Sequence, residues 1–428
     1  MRQSAASGCL RTGRLREHSA ARRTDGPKHG WRRRDAGLRF SEPVGGHVPD
    51  VHISTLALLA TGLLALSALV TGCGEDADPL ESGDDYSVLG AVGELPASIE
   101  GDAQLILTGD LSKASEVAGL DRPSDADSDE VNEWVGDLSG AAAPDDDTAR
   151  AFVPLPDALV PFDASPSEMD AQVGWSVVDV DSFAALTQPP EDFLVVSGAF
   201  DEDTLDEDLS EVDDDIVTDV VGEDHELNVE EPTAFSRIGA PTRLAEDDGR
   251  IAASSTTGAV RDWLNGDESL ADDAGYGDVA RALDEHDVYA AVLSAVQLGI
   301  DAAALILGGQ VSAEELEALI EQLEDQLPEA SYDTVGIGWT TDDDAPLVAT
   351  AYHFDSEDAA KDSVDALREL YESSTSAQSQ RPFSDYLEVE GVETEGSVVV
   401  VTSRPAEGAA IHFAYQALVS RDLLFVSQ

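Results

Sequence analysis

The stretch that decides the fold is IGWTTDDDAPLVATAYHFDSEDAAKDSV, residues 337–364. It begins with a Gly-Trp pair in a short apolar run and continues in a second apolar run that ends at Phe354. An acidic, alanine-bearing segment typical of the start of a helix follows. The same order occurs earlier, where VGWSVV from Val173 precedes FLVVSGAFDEDTLDEDL from Phe193. Two occurrences of strand, strand and helix in one order predict an internal duplication.

A predicted β-hairpin follows each of these stretches. RLAEDDGRIAASS, residues 243–255, has an Asp-Gly turn, and YLEVEGVETEGSVVVVTS, residues 386–403, has a Glu-Gly turn. Each hairpin leads through a helical stretch to one more apolar strand, HDVYAAVLS or RDLLFVS. We therefore predict an α+β fold with a tandem duplicated module of largely antiparallel sheet and packed helices, preceded by a small N-terminal α/β unit.

The predicted organisation divides the chain into six segments. A signal or upstream segment, either removed or included through a misassigned start, covers residues 1–72. In chain order the others are an acidic tether (73–97), the small N-terminal unit (98–147), the first α+β module (148–296), connecting helices (297–330) and the second α+β module (331–428).

Two helices near the second module have clear end signals. Residues 313–327 place leucines on one face and glutamates on the other, and Ser312 with Glu315 forms a predicted capping box. Residues 356–372 form the second helix, which we expect Asp355 to cap. Amphipathic faces of this kind predict helices that pack against the sheet.

Two tryptophans, Trp175 and Trp339, occupy equivalent positions in the repeated stretches. As a pair they are candidates to flank a ligand in a cleft between the two modules. A tryptophan on a strand is also a common core residue, because burial of its large ring contributes strongly to stability. The sequence leaves both interpretations open.

A targeting signal lies upstream of the predicted fold. Residues 55–70 are uncharged and mostly Leu and Ala, which is the length of a signal-peptide core and short for a membrane span. Val70-Thr71-Gly72 comes directly before Cys73, and acidic residues follow. This order resembles the lipobox of bacterial and archaeal lipoproteins. The resemblance implies that Cys73 is lipidated, that the chain is cut before it, and that the protein faces the extracytoplasmic side of the cell membrane. The alternative is a transmembrane anchor with an incidental cysteine.

A looser resemblance covers residues 248–294, DGRIAASSTTGAVRDWLNGDESLADDAGYGDVARALDEHDVYAAVLS. The order of hairpin, helix, SLADD stretch, helix and strand is similar to that of uncharacterised actinobacterial and other surface lipoproteins. Those proteins have no assigned chemistry, so the resemblance implies no site residue.

The mature region is extremely acidic. The whole chain has a formal net charge of −64; its first fifty residues hold 11 of the 24 Lys+Arg and 5 of the 88 Asp+Glu, and residues 51–72 hold none, which leaves −70 for residues 73–428. Acidic residues occur in every segment of this region, which predicts a halophilic protein that stays hydrated and soluble at very high salt. It excludes nucleic acid as a partner, because the phosphate backbone would be repelled.

Calcium binding is the rival explanation for the acidic clusters. Asp125, Asp127 and Asp129 match the first, third and fifth positions of an EF-hand loop. The sixth and twelfth positions, which require glycine and a bidentate acid, hold Glu130 and Gly136. The mismatch favours a solvated acidic surface.

No catalytic, metal-binding or cofactor motif occurs in the sequence. The four histidines of the mature region lie at no metal-ligand spacing, and His-Glu-x-x-His, Gly-x-Ser-x-Gly, Walker and dinucleotide-binding patterns do not occur. The sequence therefore favours a non-enzymatic, lipid-anchored protein with a surface-interaction or envelope-associated role. Its partners would be the membrane, through the anchor, and an unknown protein or small molecule. The alternative function is a solute-binding lipoprotein with a ligand cleft between the two modules.

Overall fold

A computed structural model describes most of the chain from Pro79 to the C-terminus. The positions within this range that it does not describe are 100, 102–103, 128–129, 141–149, 162–164, 202, 231, 237, 296–298, 300–312, 325 and 343–344. Residues 1–78, which include the predicted signal segment and Cys73, lie outside the described residues.

One antiparallel sheet of twelve strands runs through the described residues in the order β11-β12-β10-β9-β8-β1-β2-β3-β7-β6-β5-β4. The two predicted hairpins form as β6–β7 and β11–β12. The turn of the first is Asp248-Gly249 as predicted, whereas the turn of the second is Gly396-Ser397, one residue beyond the predicted Glu-Gly pair. The strands are β1 (Leu105–Asp110), β2 (Val180–Gln188), β3 (Glu191–Gly198), β4 (Ser210–Asp213), β5 (Ile216–Thr218), β6 (Arg243–Asp247), β7 (Arg250–Ser254), β8 (Ala290–Ala295), β9 (Tyr332–Asp342), β10 (Ala345–Phe354), β11 (Leu387–Glu395) and β12 (Val398–Pro405).

Helices cover both faces of the sheet, which confirms the predicted α+β class. None of those in the described part is long and apolar enough to cross a membrane. The helices are α1 (Val88–Gly93), α2 (Leu111–Ala118), α3 (Glu130–Leu138), α4 (Pro166–Val173), α5 (Thr257–Asn265), α6 (Ala274–Asp284), α7 (Ala313–Glu324), α8 (Glu357–Ser373) and α9 (Phe413–Val419).

The core has two hydrophobic clusters, one on each face of the sheet. Neighbouring strand residues alternate between them: Phe183 belongs to the cluster under α2, α3, α4, α7, α8 and α9, whereas Ala184 belongs to the cluster under α1, α5 and α6. Glycines in the stretch that opens the second module allow α6 to lie close to β9. A Cβ atom at Gly336 would lie 2.4 Å from Val279 Cγ1, which is too close for any side chain.

The predicted acidic tether is shorter than its composition suggested. The residues from Pro79 onward belong to the fold, and Leu80, Val88, Val92 and Leu95 are almost fully buried. Ser87 caps α1 by accepting a hydrogen bond from the Gly90 amide. The acidic and glycine residues around this segment led to the prediction of a tether, although the segment contains a short helix whose apolar side packs on the sheet.

The strand order is the same in the two predicted modules, but other parts differ. From the central pair β1–β8 the order is β2-β3-β7-β6 on one side and β9-β10-β12-β11 on the other. Trp339 lies within β9, whereas Trp175 precedes β2 in a segment that is not a strand. The described residues after β3 form β4 and β5, so the helix predicted there is wrong, whereas α8 follows β10 as predicted. The duplication therefore stays a prediction.

The predicted helix ends are correct to within a few residues. The long connecting helix begins at Ala313 as predicted, and its predicted Ser312 cap lies outside the described residues. The cap of α8 is Ser356, whose hydroxyl accepts from the Ala359 amide, and the prediction of Asp355 was wrong. Both residue types are good N-caps, so the sequence alone does not distinguish two adjacent candidates.

Candidate functional site

An apolar cavity of about 450 Å³ lies where β3 and β7 meet the connection between β5 and β6. Phe193 and Leu194 of β3 and Ala253 and Ser254 of β7 form its inner wall. The β5–β6 connection forms the outer wall. The remaining lining residues are Ala158, Pro190, Asp192, His225, Leu227, Phe235, Ser236, Ile238, Ala240, Pro241, Thr242 and Ser255. Asp192 and His225 are the two ionisable residues of this lining, so the cavity is apolar with few polar groups.

The strand pairing fixes the inner wall. Phe193 is directly opposite Ser254 in the β3–β7 register, and the Ser254 hydroxyl donates to the Asp192 carbonyl at 2.9 Å. The amide of Asp192 in turn lies 3.3 Å from the Ser255 hydroxyl. These contacts hold two neighbouring strand ends together, so the wall is a rigid part of the sheet.

Arg243, which is 1% exposed, fastens the outer wall. Its guanidinium donates to the Thr218 hydroxyl, the Gly222 carbonyl and the Asp224 carboxylate at 2.9, 2.7 and 2.9 Å. A buried guanidinium needs this complete set of acceptors, because an unpaired buried charge is strongly unfavourable. One side chain at the start of β6 thereby anchors the connection that closes the cavity.

Asp224 extends this network to α5. Its carboxylate also accepts from the Thr257 amide at 2.9 Å and from the Thr257 hydroxyl at 2.8 Å. Burial opposes ionisation of Asp224, but the hydrogen bonds from Thr257 and Arg243 outweigh it and hold the pKa of this carboxyl below its ordinary value. The β5–β6 connection is therefore tied at both β6 and α5.

Exposed apolar side chains are concentrated in the part of the chain that includes the outer wall of the cavity. Six large hydrophobic residues are strongly exposed in the described part of the chain, and five of them fall between residues 212 and 238. Leu227 (59% exposed) and Ile238 (49%) line the cavity itself. The others are Val212, Val221 and Val229, and the sixth, Val419, lies on α9. Leu227 and Ile238, which lie together at the cavity, make it a candidate contact surface.

The two tryptophans predicted as ligand contacts are fully buried, with different neighbours. The ring of Trp175 lies 6.1 Å from that of Phe235, so Trp175 supports the cavity wall from behind. Trp339 donates to the Ile411 carbonyl at 3.1 Å. The lining of the apolar cavity comes from the first predicted module alone, not from a cleft between modules. A ligand-binding role for the tryptophans stays a prediction, and the lipidation site Cys73 lies outside the described residues.

A second cavity, polar and about 360 Å³, lies where the chain enters the fold. The buried Glu94 carboxylate accepts from the Leu80 amide at 2.9 Å, from Arg250 Nη1 at 2.5 Å and from Trp263 Nε1 at 2.6 Å. The guanidinium of Arg250 also lies over the Trp263 ring. Because these donors saturate the carboxylate, Glu94 fastens the N-terminal segment to the sheet and has little capacity left for a ligand.

Comparison with known proteins assigns the chain to no family. No protein-family model matches it, and no curated protein matches it. Among solved structures, crystal forms I and III of TP0453 align with it at 8% and 9% sequence identity. The alignments cover 78% and 73% of this chain and 97% and 94% of the TP0453 chains, with a TM-score of 0.33 in both cases. A TM-score of 0.33 is too low to establish a shared fold.

Proposed function

We propose that the protein is a lipid-anchored, extracytoplasmic binding protein that takes one small amphipathic ligand into the apolar cavity between β3, β7 and the β5–β6 connection. The cavity is the observation that carries the proposal. Its volume of about 450 Å³ lies within the range of roughly 300–1,000 Å³ typical of small-molecule sites, and its lining has the usual composition of many apolar groups and few polar ones.

The charge of the protein restricts the polar end of such a ligand. Residues 73–428 carry a formal charge of −70, and Asp192 lies in the lining itself. The field of so many carboxylates repels an anionic head group and attracts a cationic one. An apolar body with a cationic or neutral head therefore fits the cavity and its surroundings best.

The binding test uses decyltrimethylammonium, below its micelle concentration, as a probe of this chemistry. Titration calorimetry of the full chain in 1 M KCl should show one saturable equivalent, because salt at that concentration screens loose binding to the acidic surface. Ile238→Asn should weaken binding about tenfold, since loss of apolar contact worth about 1.4 kcal/mol corresponds to a factor of ten.

Val419→Asn is the matched control, because Val419 is also apolar and exposed but lies on α9. It should bind the probe like the unaltered chain. At 0.1 M KCl, decyl sulfate should bind more weakly than the cationic probe of equal chain length. Equal losses in the two variants, or no saturable equivalent in the unaltered chain, would contradict the proposal.

A protein partner on the cell surface is the second candidate function. Val221 (78% exposed) and Val229 (70%) favour it, because they belong to the same exposed apolar set but do not line the cavity. A photo-crosslinking residue placed at position 229 should then give one discrete adduct in intact cells, and Val221→Asn should abolish that adduct. Unchanged probe binding in Val221→Asn would separate the two candidates.

The anchor determines how far the fold lies from the membrane. Five residues, 74–78, separate Cys73 from Pro79, the first described residue of the fold. At 3.3–3.6 Å per residue, the six steps from Cys73 to Pro79 span at most about 22 Å. A lipid on Cys73 would thus hold the fold next to the bilayer, where an amphipathic ligand is abundant.

Replacement of Cys73 by serine should release the protein from membranes. Acyl chains supply about 0.8 kcal/mol per buried methylene, and serine cannot carry the thioether on which they depend. Fractionation of cells with a high-salt wash should therefore move Cys73→Ser from the pellet to the supernatant. Cys9→Ser, which removes the other cysteine of the sequence, should stay in the pellet. If Cys73→Ser also pellets, the lipid anchor is wrong.

A further inference from the structure

His286, Glu393 and Glu395 converge at one place on the sheet although they lie far apart in sequence. One ligand atom of each, the imidazole nitrogen or a carboxylate oxygen, lies within 4.8 Å of the other two. The distance from His286 Nε2 to Glu395 Oε1 is 3.8 Å. This separation is too long for a hydrogen bond, so the two side chains approach each other without forming one.

The backbone explains the convergence. Glu393 and Glu395 are two positions apart on β11, so both side chains point to the same face of the sheet. Their cross-strand partners Val400 and Val398 are buried in the cluster that packs against α6. His286 follows the end of α6, where its amide donates to the Leu283 carbonyl at 3.0 Å. A helix end and an edge strand thus bring an imidazole and two carboxylates together.

The imidazole of this cluster has a buried nitrogen that no hydrogen bond satisfies. His286 Nε2 is shielded from solvent and has no hydrogen-bond partner. A buried ring nitrogen without a partner is unfavourable, and a cation between it and the two carboxylates would satisfy the nitrogen and reduce the repulsion between the carboxylates.

We propose that His286, Glu393 and Glu395 bind one divalent transition-metal ion, with Zn²⁺ as the best fit, and leave one coordination position to water. Zn²⁺ accepts imidazole nitrogen and carboxylate oxygen at about 2.0–2.2 Å, which places neighbouring ligand atoms roughly 3.3–3.5 Å apart in a tetrahedral site. The observed 3.8 Å needs only a small side-chain rotation to reach this geometry. Ca²⁺ fits less well, because it prefers a shell of six to eight oxygen atoms.

The metal would join two distant parts of the chain. His286 belongs to the connection between α6 and β8 near the centre of the sheet order, whereas β11 is the last strand at one edge of the described sheet. An edge strand has a neighbouring strand on one side only, so fewer backbone hydrogen bonds hold it. Zn²⁺ at this place would fasten the β11–β12 hairpin to the helix end.

The test is calorimetric titration of the chelator-treated full chain with ZnCl₂ in 1 M KCl. We expect one equivalent of Zn²⁺ per chain and at least tenfold weaker binding in His286→Gln. Glu393→Gln should show a comparable loss, and because the Glu393 side chain is exposed, this variant should keep its fold. Glu388→Gln is the matched control, since Glu388 is an exposed glutamate at the other end of β11.

A second readout follows from the fastening of β11. Equimolar Zn²⁺ should raise the thermal midpoint of the unaltered chain and of Glu388→Gln, but not that of His286→Gln or Glu393→Gln. Equimolar Ca²⁺ should raise none of them. If His286→Gln and Glu393→Gln bind Zn²⁺ as tightly as the unaltered chain, the ion is held by the acidic surface in general and the site is wrong. Absence of a tight equivalent in the unaltered chain would overturn it as well.

Discussion

Trp339→Ala is expected to lower the free energy of unfolding by about 3–5 kcal/mol, the usual range for removal of a large buried aromatic side chain. The Trp339 side chain is fully buried, and its ring meets that of Phe152 edge-on at a centroid distance of 4.7 Å. Alanine would leave a large cavity against β9 and would orphan the Ile411 carbonyl, which accepts the indole hydrogen bond. A single domain has only about 5–15 kcal/mol of stability, so a large share of it depends on this residue.

The measurement is urea unfolding in molar salt. When the free energy of unfolding depends on urea concentration with the same slope in all variants, a shift of the urea midpoint reports a change in stability. Trp339→Phe should lose much less, because phenylalanine keeps most of the ring volume and loses mainly the hydrogen bond. Val419→Ala, at an exposed position, should lie within about 0.5 kcal/mol of the unaltered chain. A loss below about 1 kcal/mol for Trp339→Ala, accompanied by loss of ligand binding, would support the cleft interpretation instead.

The two tryptophans show what the sequence could and could not predict. Both Gly-Trp pairs were predicted to lie in strands, which is correct for Trp339 and wrong for Trp175, because periodicity over six residues does not show whether a tryptophan lies on a strand or before it. Trp339 is in β9, whereas Trp175 precedes the short 3₁₀ helix Val177–Asp179. Both hairpins were predicted correctly, and the second turn only to within one residue, because glycine-containing turns are local signals that need no knowledge of distant contacts.

Neither candidate site could have been found from local patterns. The apolar cavity depends on Arg243, which appears in the sequence as an ordinary charged residue at the start of a strand and becomes the buried anchor of the β5–β6 connection. The proposed metal ligands belong to a helix end and a hairpin separated by about a hundred residues, and metal-binding motifs are recognised by short spacings. In a chain with 88 acidic residues, only the three-dimensional arrangement distinguishes Glu393 and Glu395 from the solvated carboxylates.

The acidic surface is itself a strong source of repulsion, and the described ion pairs do not offset it. Most arginines of the described part are paired, but pairs such as Arg261–Asp213 are half-exposed, and water and salt screen such pairs so that they contribute little to stability. Residues 73–428 contain 13 basic and 83 acidic residues, because 11 of the 24 Lys+Arg and 5 of the 88 Asp+Glu lie in the first fifty residues. Repulsive pairs of carboxylates therefore outnumber attractive ion pairs. The folded state holds these charges close together, whereas the unfolded chain can spread them apart.

The midpoint of thermal unfolding should consequently rise steeply between dilute buffer and molar salt. The screening length is about 30 Å at 0.01 M and about 3 Å at 1 M, so distant carboxylates interact in the first case and cease to interact in the second. NaCl and KCl should act alike, because screening depends on ionic strength.

Calcium at millimolar concentration tests the rival explanation, that the acidic clusters are calcium sites. Asp125, Asp127, Asp170 and Asp179 line a common cavity, where burial and these neighbouring charges raise the pKa of Asp170. Stabilisation by millimolar calcium alone, abolished in Asp170→Asn, would indicate specific sites. A midpoint indifferent to NaCl from 0.01 to 1 M would contradict the halophilic interpretation, because the repulsion of some seventy net charges could not then be governing the stability of the fold.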